Sequence, residues 1–276
     1  MITLKLLPYK KTYLLICLLF ILLIYNQAFI HILTFDDSAA DIAKIQGESV
    51  KLKIFYGLLS LNNTLFEYNF YQAFLFPLLI IFIGNAYYYL KNRYCRYYLG
   101  RTLYYSLTIK KLKIMLALLS VFIFTIILAF IITVSKGIGR FDLSGIEYYF
   151  NNNSILYFFG TNTINYLIYY FFGTNTINYL IYYFFVKSCA LLVESFLIFN
   201  IIDYFNYFTK SALVYLLFMW GTAPILYSFL PFYLVPMTHI MMTSYGDITL
   251  WQVFATYLPC AIIFLIIKYK NSYEII

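Results

Sequence analysis

Lys187 and Glu194 are two charged residues deep inside a long apolar stretch of this 276-residue chain. Seven residues at 100° each bring them to nearly the same face of a helix, about 10 Å apart along its axis. Exposing such charges to lipid costs several kcal/mol, so they usually face a bundle interior or a water-filled path. The pair indicates either a polar contact lining a substrate route, or a Lys187 that extends to the outer membrane surface while Glu194 pairs with another helix.

Other residues that could do chemistry are sparse. The sequence contains neither a GxxxxGK[ST] phosphate loop nor a GxGxxG motif, so we do not expect this chain itself to hydrolyse ATP. His31, Asp36 and Asp37 form the only candidate acid–base cluster, and solvated loop charges explain it better. We therefore predict no catalytic residues and no cofactor.

The four cysteines do not suggest a metal site. No two have CxxC spacing, and small buried apolar residues are the better interpretation of Cys17, Cys95, Cys189 and Cys260. His31 and His239 lie far apart and outside any metal-binding motif. We predict no metal ligands.

The composition identifies the class of protein. Apolar residues make up 63% of the chain and charged residues 11%, whereas ordinary soluble domains carry roughly 25% charged residues. A soluble fold of this length would need more polar surface. The sequence therefore predicts an all-α polytopic membrane protein that forms a single transmembrane domain over residues 1–276.

A membrane helix needs about 20 mostly apolar residues to cross a hydrocarbon core of roughly 30 Å. Six stretches meet this requirement: 12–33, 70–90, 114–134, 179–202, 211–230 and 250–267. The alternative is a seventh span over 163–186, at the start of the fourth stretch. We expect six transmembrane helices.

Basic residues set the expected orientation. With the N-terminus in the cytosol, 13 Lys and Arg residues fall on the inner side and five on the outer side, and Lys/Arg bias near span ends determines topology. We predict a multi-pass protein of a bacterial plasma membrane with both termini in the cytosol.

One segment is an exact tandem repeat. The 13 residues 157–169 read YFFGTNTINYLIY, and residues 170–182 repeat them without change. The repeat is too short for a solenoid unit, which needs about 20–50 residues. We interpret it as a duplication that lengthens an outer region.

The predicted inner loop, 91–113, carries seven basic residues and no acidic one. Within it, Leu99, Leu103 and Leu107 recur at every fourth position, which predicts a short amphipathic helix over 97–107. Such a helix could lie on anionic lipid headgroups, or it could dock a cytosolic partner.

This layout resembles the membrane subunits of ABC-2 type transporters, in which an inner coupling helix joins the second and third spans. The family's coupling region commonly has a Gly, a Leu and a small residue before a basic cluster. Here Gly100, Leu103 and Ser106 precede Lys110, Lys111 and Lys113, whereas the acidic residue that often precedes the Gly is replaced by Arg96. The resemblance implies an ATPase-coupling surface formed by Leu99, Gly100, Arg101, Leu103, Ser106 and Leu107.

The resemblance also implies function and partners. It predicts a permease subunit that exports a peptide, a lipid or another amphipathic substrate, pairs with a second permease subunit and takes energy from a separate cytosolic ABC ATPase. The expected partners include membrane lipid and exclude nucleic acid. Two alternatives are a non-transporting membrane immunity or accessory protein, and a membrane enzyme acting on lipid or isoprenoid substrates.

Overall fold

The computed structural model describes residues 10–35, 50–95, 102–138, 174–237, 255 and 257–273. These residues are helical almost throughout, and no β-strand occurs among them. The all-α fold expected from the sequence is therefore confirmed for this part of the chain.

The described helices are numbered in chain order. They are α1 (Lys10–Thr34), α2 (Val50–Leu58), α3 (Leu61–Arg93), α4 (Thr102–Gly137), α5 (Thr174–Phe205), α6 (Phe208–Leu216), α7 (Ala223–Phe229) and α8 (Leu258–Tyr273). A π-helical turn, Leu217–Gly221, joins α6 to α7, and a 3-10 turn covers Phe232–Leu234.

Three of these helices, α3, α4 and α5, are long and apolar enough to cross a membrane. The number rises to five if two bent pairs of helical segments each count as one span. One pair is α1, which bends by 46° near residue 27, and the other is α6 and its π turn followed by α7, bent by 40°. The apolar part of α8, Leu258–Tyr269, is shorter. The described residues thus contain three to five candidate spans, and the six-span topology stays a prediction.

The helices extend beyond the apolar stretches that predicted them. α3 begins at Leu61 instead of residue 70, α4 at Thr102 instead of 114, and α5 at Thr174 instead of 179. Apolar patterning marks the part of a helix that lies in lipid, whereas the hydrogen-bonded helix continues until a breaker or a cap ends it. The segment 102–113 contains no Gly and no Pro.

The predicted fifth span is not one regular helix. The π turn and the 40° bend interrupt it, and Pro224 lies in the first turn of α7, where its missing N–H leaves no helical bond unmade. π turns are uncommon and occur mostly as local bulges.

Helix α5 lies at the centre of the bundle and contacts α3, α4, α6 and α8. Lys91 near the end of α3 and Lys113 of α4 both contact Asp203 near the end of α5. At the opposite end, Thr64 of α3 contacts Ser135 of α4. Helices α3 and α5 therefore run parallel to each other and antiparallel to α4, which agrees with the alternating order expected for the second, third and fourth spans.

Helix α3 contains an interior proline, and a side chain of the π turn replaces the hydrogen bond that this proline removes. Pro77 has no N–H, so the carbonyl of Ala73, four residues earlier, loses its helical donor. The indole Nε1 of Trp220 donates a hydrogen bond to that carbonyl at 3.1 Å. The π turn is thereby anchored to α3 at the point where the proline frees a backbone acceptor.

A line of large apolar side chains on α4 faces outward. It recurs at every fourth position and consists of Ile114, Leu118, Phe122, Ile126 and Phe130, each between 39% and 61% exposed. Because a regular helix keeps such positions close to one side, these residues form one continuous apolar stripe. A lipid-facing surface accounts for a stripe of this length.

Candidate functional site

Polar side chains follow the length of α5 and bind neighbouring helices at three depths. Tyr183, Glu194 and Asp203 each make a hydrogen bond to another helix. From Tyr183 to Asp203 the helix rises by about 30 Å, which is the thickness of a hydrocarbon core. The candidate site is therefore a polar line through the bundle along α5.

The largest group of charged side chains along α5 in the described part of the chain is the Asp203 cluster, which we define as Lys91, Lys113, Tyr87, Asn200 and Asp203. Lys91 Nζ lies 2.7 Å from Asp203 Oδ1, and Lys113 Nζ lies 2.6 Å from Asp203 Oδ2. The Tyr87 hydroxyl donates to Asp203 Oδ1 at 2.7 Å, and Lys113 donates to Asn200 Oδ1 at 3.0 Å. One carboxylate thus joins α3, α4 and α5.

The surroundings of the Asp203 cluster make these contacts strong. The two lysine side chains are 16% exposed and the Asp203 side chain is 20% exposed, so the ion pairs are largely shielded from water. Lys113 Nζ also lies 5.6 Å from the centroid of the buried Tyr87 ring. Removing one partner of such a pair leaves the remaining charge uncompensated, at a cost of about 3 to 5 kcal/mol for full burial.

Sequence reasoning missed the Asp203 cluster. It placed all three charged residues on the inner side but did not bring them together. A signal was present, because Asp203 is an acid at the end of a span on a side that otherwise carries mostly basic residues. What the pattern could not supply was the contact between residues 112 positions apart in the chain.

Glu194 occupies the middle depth. It is fully buried and accepts a hydrogen bond from the Tyr215 hydroxyl of α6 at 2.5 Å. The next residue, Ser195, lies with its Oγ 3.2 Å from Ser120 Oγ of α4. Two consecutive residues of α5 therefore bind two different helices.

Lys187 is also completely buried. Its Nζ lies 5.8 Å from the centroid of the Tyr183 ring, one helical turn away, and has no hydrogen-bond partner among the described residues. The structure therefore does not show Lys187 reaching the outer surface. Glu194, seven residues farther along α5, interacts with Lys187 electrostatically, but no hydrogen bond joins the two side chains.

The third group of polar contacts on α5 surrounds Tyr183, near the end of the bundle opposite the Asp203 cluster. Gln72 Nε2 donates to the Tyr183 hydroxyl at 2.6 Å, and that hydroxyl donates to Asn69 Oδ1 at 2.9 Å. All three side chains are buried. This chain of hydrogen bonds holds α5 against α3, the helix to which the Lys91–Asp203 ion pair also joins it.

The predicted ATPase-coupling residues are only partly described. Leu99, Gly100 and Arg101 lie outside the described residues, and Leu103 is placed within α4 without a described side chain. Ser106 and Leu107 are exposed, Leu107 by 45%. From Thr102 on, the predicted short helix over 97–107 belongs to α4 and is not a separate element.

This extension of α4 is distinctive among the three long helices. Helices α3 and α5 each end two residues after their cluster member, at Arg93 and Phe205. Helix α4 instead continues for 11 residues from Lys113 back to Thr102, a distance of about 16 Å. It therefore extends past the ends of α3 and α5 at the end that the Asp203 cluster marks, and we call Thr102–Leu112 the projecting segment.

The projecting segment is amphipathic. Tyr105 and Ile109 pack against the hydrophobic core, and Leu112 is buried. Tyr104, 59% exposed, and Leu107 lie three positions apart, which places them on a common outward face. The segment therefore presents an exposed apolar pair while its other face fixes it to the bundle.

The cysteines and acidic groups do not converge. Among the described residues no three His, Cys, Asp or Glu side chains lie together as a metal site. Cys95 and Cys260 are buried, Cys17 is half-buried and Cys189 is exposed. Burial raises the pKa of the Cys95 thiol above its ordinary value, an effect that the charge of Lys91 opposes.

Comparison of the chain with protein families, curated proteins and solved structures finds no match.

Proposed function

We propose that this chain is the membrane-spanning permease subunit of an ATP-driven transporter of the ABC-2 type. In this proposal a separate cytosolic ATPase docks on the 91–113 segment, a second permease subunit completes the transport path, and both termini lie in the cytosol of a bacterial plasma membrane. The cargo is an amphipathic molecule such as a peptide or a lipid, which the complex exports.

The observation that carries the proposal is the unbroken helix α4. Its projecting segment and its apolar span are parts of one helix of 36 residues. A rigid helix transmits a push at one end to the other, whereas a flexible loop would absorb it. A partner that binds Tyr104 and Leu107 would therefore act directly on the span.

The Asp203 cluster supports the same mechanism. Lys113 lies at the base of the projecting segment and is held by Asp203 of α5, which also holds Lys91 of α3. Movement of the α4 extension would thus be shared among three helices. A partner shifts this equilibrium only by binding one arrangement of the helices more tightly than the other.

The basic charge of the segment favours docking on an acidic or phosphate-rich surface at the membrane face. Lys110 and Lys111 are both exposed, next to the apolar pair Tyr104 and Leu107. Charged residues around an apolar centre are typical of a protein–protein contact that dissociates and reforms.

The test is co-purification of the tagged chain from its native host in mild detergent. We expect a protein with a phosphate-loop motif to elute with it, and the eluate to hydrolyse ATP in a vanadate-sensitive manner. Arg101→Glu combined with Leu103→Asp, and separately Leu107→Asp, should abolish both signals while membrane insertion persists. Lys210→Glu, an exposed charge reversal at the same end of the bundle, is the matched control and should retain both.

Two results would overturn the proposal. One is retention of the ATPase by the double variant, which would remove the docking role from this segment. The other is a wild-type chain that elutes without any ATPase, which is the behaviour of a non-transporting immunity or accessory protein.

A further inference from the structure

Helix α1 carries a groove whose lining combines one basic side chain with apolar ones. In the described part of the chain it is lined by Lys11, Leu14, Leu15 and Leu18, and its volume is about 460 Å³. Ligand pockets in proteins have volumes of roughly 300 to 1,000 Å³. This groove, which we call the α1 groove, therefore has room for part of a lipid molecule.

The apolar face of α1 continues beyond the groove. Leu15, Leu18 and Leu22 are each more than half exposed, and at 100° per residue they lie within about 40° of the direction of Lys11. From Lys11 to Leu22 the helix rises by about 16 Å, roughly half the thickness of a hydrocarbon core of about 30 Å. One face of α1 thus joins a positive charge to an apolar strip as long as one leaflet is deep.

Aromatic contacts relate the depth of α1 to that of α4. The rings of Phe20 on α1 and Phe124 on α4 both contact the rings of Tyr68 and Phe76 on α3, with centroids between 5.9 and 6.2 Å apart. Because they share these two neighbours, Phe20 and Phe124 lie at the same level of the bundle.

The two helices also run in the same direction. Tyr25, five residues after the shared level on α1, lies with its ring 6.1 Å from the ring of Phe130, six residues after that level on α4. In the opposite direction Lys11 lies about 14 Å from the shared level and Lys113 about 17 Å from it. The α1 groove is therefore at the end of the bundle that the Asp203 cluster marks.

The charge of Lys11 has no counterpart in the described part of the chain. Lys11 is exposed, and no hydrogen bond or ion pair joins it to another described residue. Residues 1–35 contain three lysines and no acidic residue. Asp203, the described acidic residue at this end, is already bound to Lys91 and Lys113. An anion that pairs with Lys11 therefore comes from outside the described residues.

This charge pattern favours a lipid over a second copy of the chain as the occupant. Two copies related by a two-fold axis along the membrane normal present the same residues at the same depth, so both Lys11 side chains would lie at one level and repel each other. Asp203 of the second copy would already be shared by two lysines. An anionic lipid instead brings a negative headgroup to the membrane surface and an apolar chain to the leucines.

We propose that the α1 groove binds an anionic phospholipid. Lys11 Nζ donates to a phosphate oxygen of the headgroup, and one acyl chain lies along Leu14, Leu15, Leu18 and Leu22. The lipid belongs to the leaflet on the side of the Asp203 cluster. This inference goes beyond the proposed transport function and does not depend on an ATPase partner.

The test compares two lipids with the same acyl chains. Phosphatidylglycerol carries a net negative charge, and phosphatidylcholine carries none. The purified full-length chain in detergent is mixed with equal amounts of both, and native mass spectrometry counts the molecules of each that stay bound. We expect the wild-type chain to retain at least fivefold more phosphatidylglycerol than phosphatidylcholine.

Three variants attribute this preference to one side chain. Lys11→Met removes the charge and should lower the preference at least threefold, whereas Lys11→Arg keeps the charge and should keep the preference. Lys210→Met is the matched control, because it removes the same charge at the same end of the bundle but outside the groove. It should retain the wild-type preference.

A photoreactive phosphatidylglycerol with a diazirine in one acyl chain locates the bound lipid. After irradiation, peptide mapping should find cross-links within residues 11–22 in the wild-type chain and in Lys210→Met. The same cross-links should be several times weaker in Lys11→Met.

Equal retention of the two lipids by the wild-type chain would overturn the inference, as would an unchanged preference in Lys11→Met or cross-links that all lie outside residues 11–22. Leu18→Cys, in a chain whose native cysteines are replaced by alanine, tests the other occupant. A disulfide-linked dimer through this thiol would place a second copy in the groove and contradict the lipid site. If Lys11→Met fails to insert, the wild-type comparison and the cross-linking still decide the question. A negative result leaves the co-purification test of the proposed function intact, because no ATPase takes part here.

Discussion

Asp203 and Lys113 form an ion pair of 2.6 Å that ties the base of a projecting helix to the central helix of the bundle. The same carboxylate binds Lys91 of α3 at 2.7 Å. Asp203 is therefore shared by three helices, and its two lysines leave the group with one excess positive charge. We regard this shared carboxylate as the joint through which the α4 extension acts on the spans.

The first prediction concerns Asp203 itself. Asp203→Asn removes the negative charge and leaves two largely shielded lysines near each other, which should destabilise the chain by about 3 kcal/mol. The measurement is thermal unfolding in detergent. Lys111→Met, which removes an exposed charge two residues before Lys113, is the control and should change stability by less than about 0.5 kcal/mol.

A double-mutant cycle separates the ion pair from general damage. If Lys113 and Asp203 interact, the combined Lys113→Met and Asp203→Asn variant should lose less stability than the two single variants together. Additive losses would show that the two side chains do not share an interaction.

The second prediction concerns the proline in α3. Trp220→Phe leaves the Ala73 carbonyl without a donor, which should cost about 1 to 3 kcal/mol because a buried acceptor then stays unpaired. Pro77→Ala restores the helical N–H to the same carbonyl. In that background Trp220→Phe should cost clearly less, and equal costs in the two backgrounds would contradict the described role of Trp220.

The third prediction concerns the 13-residue repeat. Deletion of residues 157–169 leaves the sequence from 170 onward unchanged, so α5 keeps every residue from Thr174 to Phe205. We expect membrane insertion, thermal stability and ATPase co-purification close to those of the wild-type chain. Deletion of residues 183–195, also 13 residues, removes Lys187 and Glu194 and is the disruptive control. Complete loss of function in the first variant would show that the duplication is required.

The sequence predicted some features and missed others for identifiable physical reasons. Each of the six apolar stretches overlaps a described helix, and only the short α2 has no counterpart among them, because membrane burial requires long runs of apolar residues. Lys187 and Glu194 stood out since charge is rare in such runs. The pairing of Asp203 with Lys91 and Lys113 was missed, because it depends on how three helices pack and not on any local pattern.

Local chemistry also explains why some helix boundaries were predicted wrongly. The extension of α4 to Thr102 was predictable from the absence of Gly and Pro over 102–113, but the basic residues there suggested a loop. The role of Trp220 could not be predicted, because the sequence shows that Pro77 frees an acceptor but not which distant donor reaches it.

The most direct test of the central claim is the side of the membrane on which the α4 extension lies. Tyr104→Cys, in a chain whose native cysteines are replaced by alanine, places one thiol at a position that is 59% exposed. A membrane-impermeant maleimide added to intact cells should leave this thiol unlabelled and label it after permeabilisation. Leu33→Cys, 82% exposed at the other end of the bundle on α1, should be labelled in intact cells. Labelling of Tyr104→Cys from outside would contradict the account, because a segment outside the cell cannot receive work from a cytosolic ATPase.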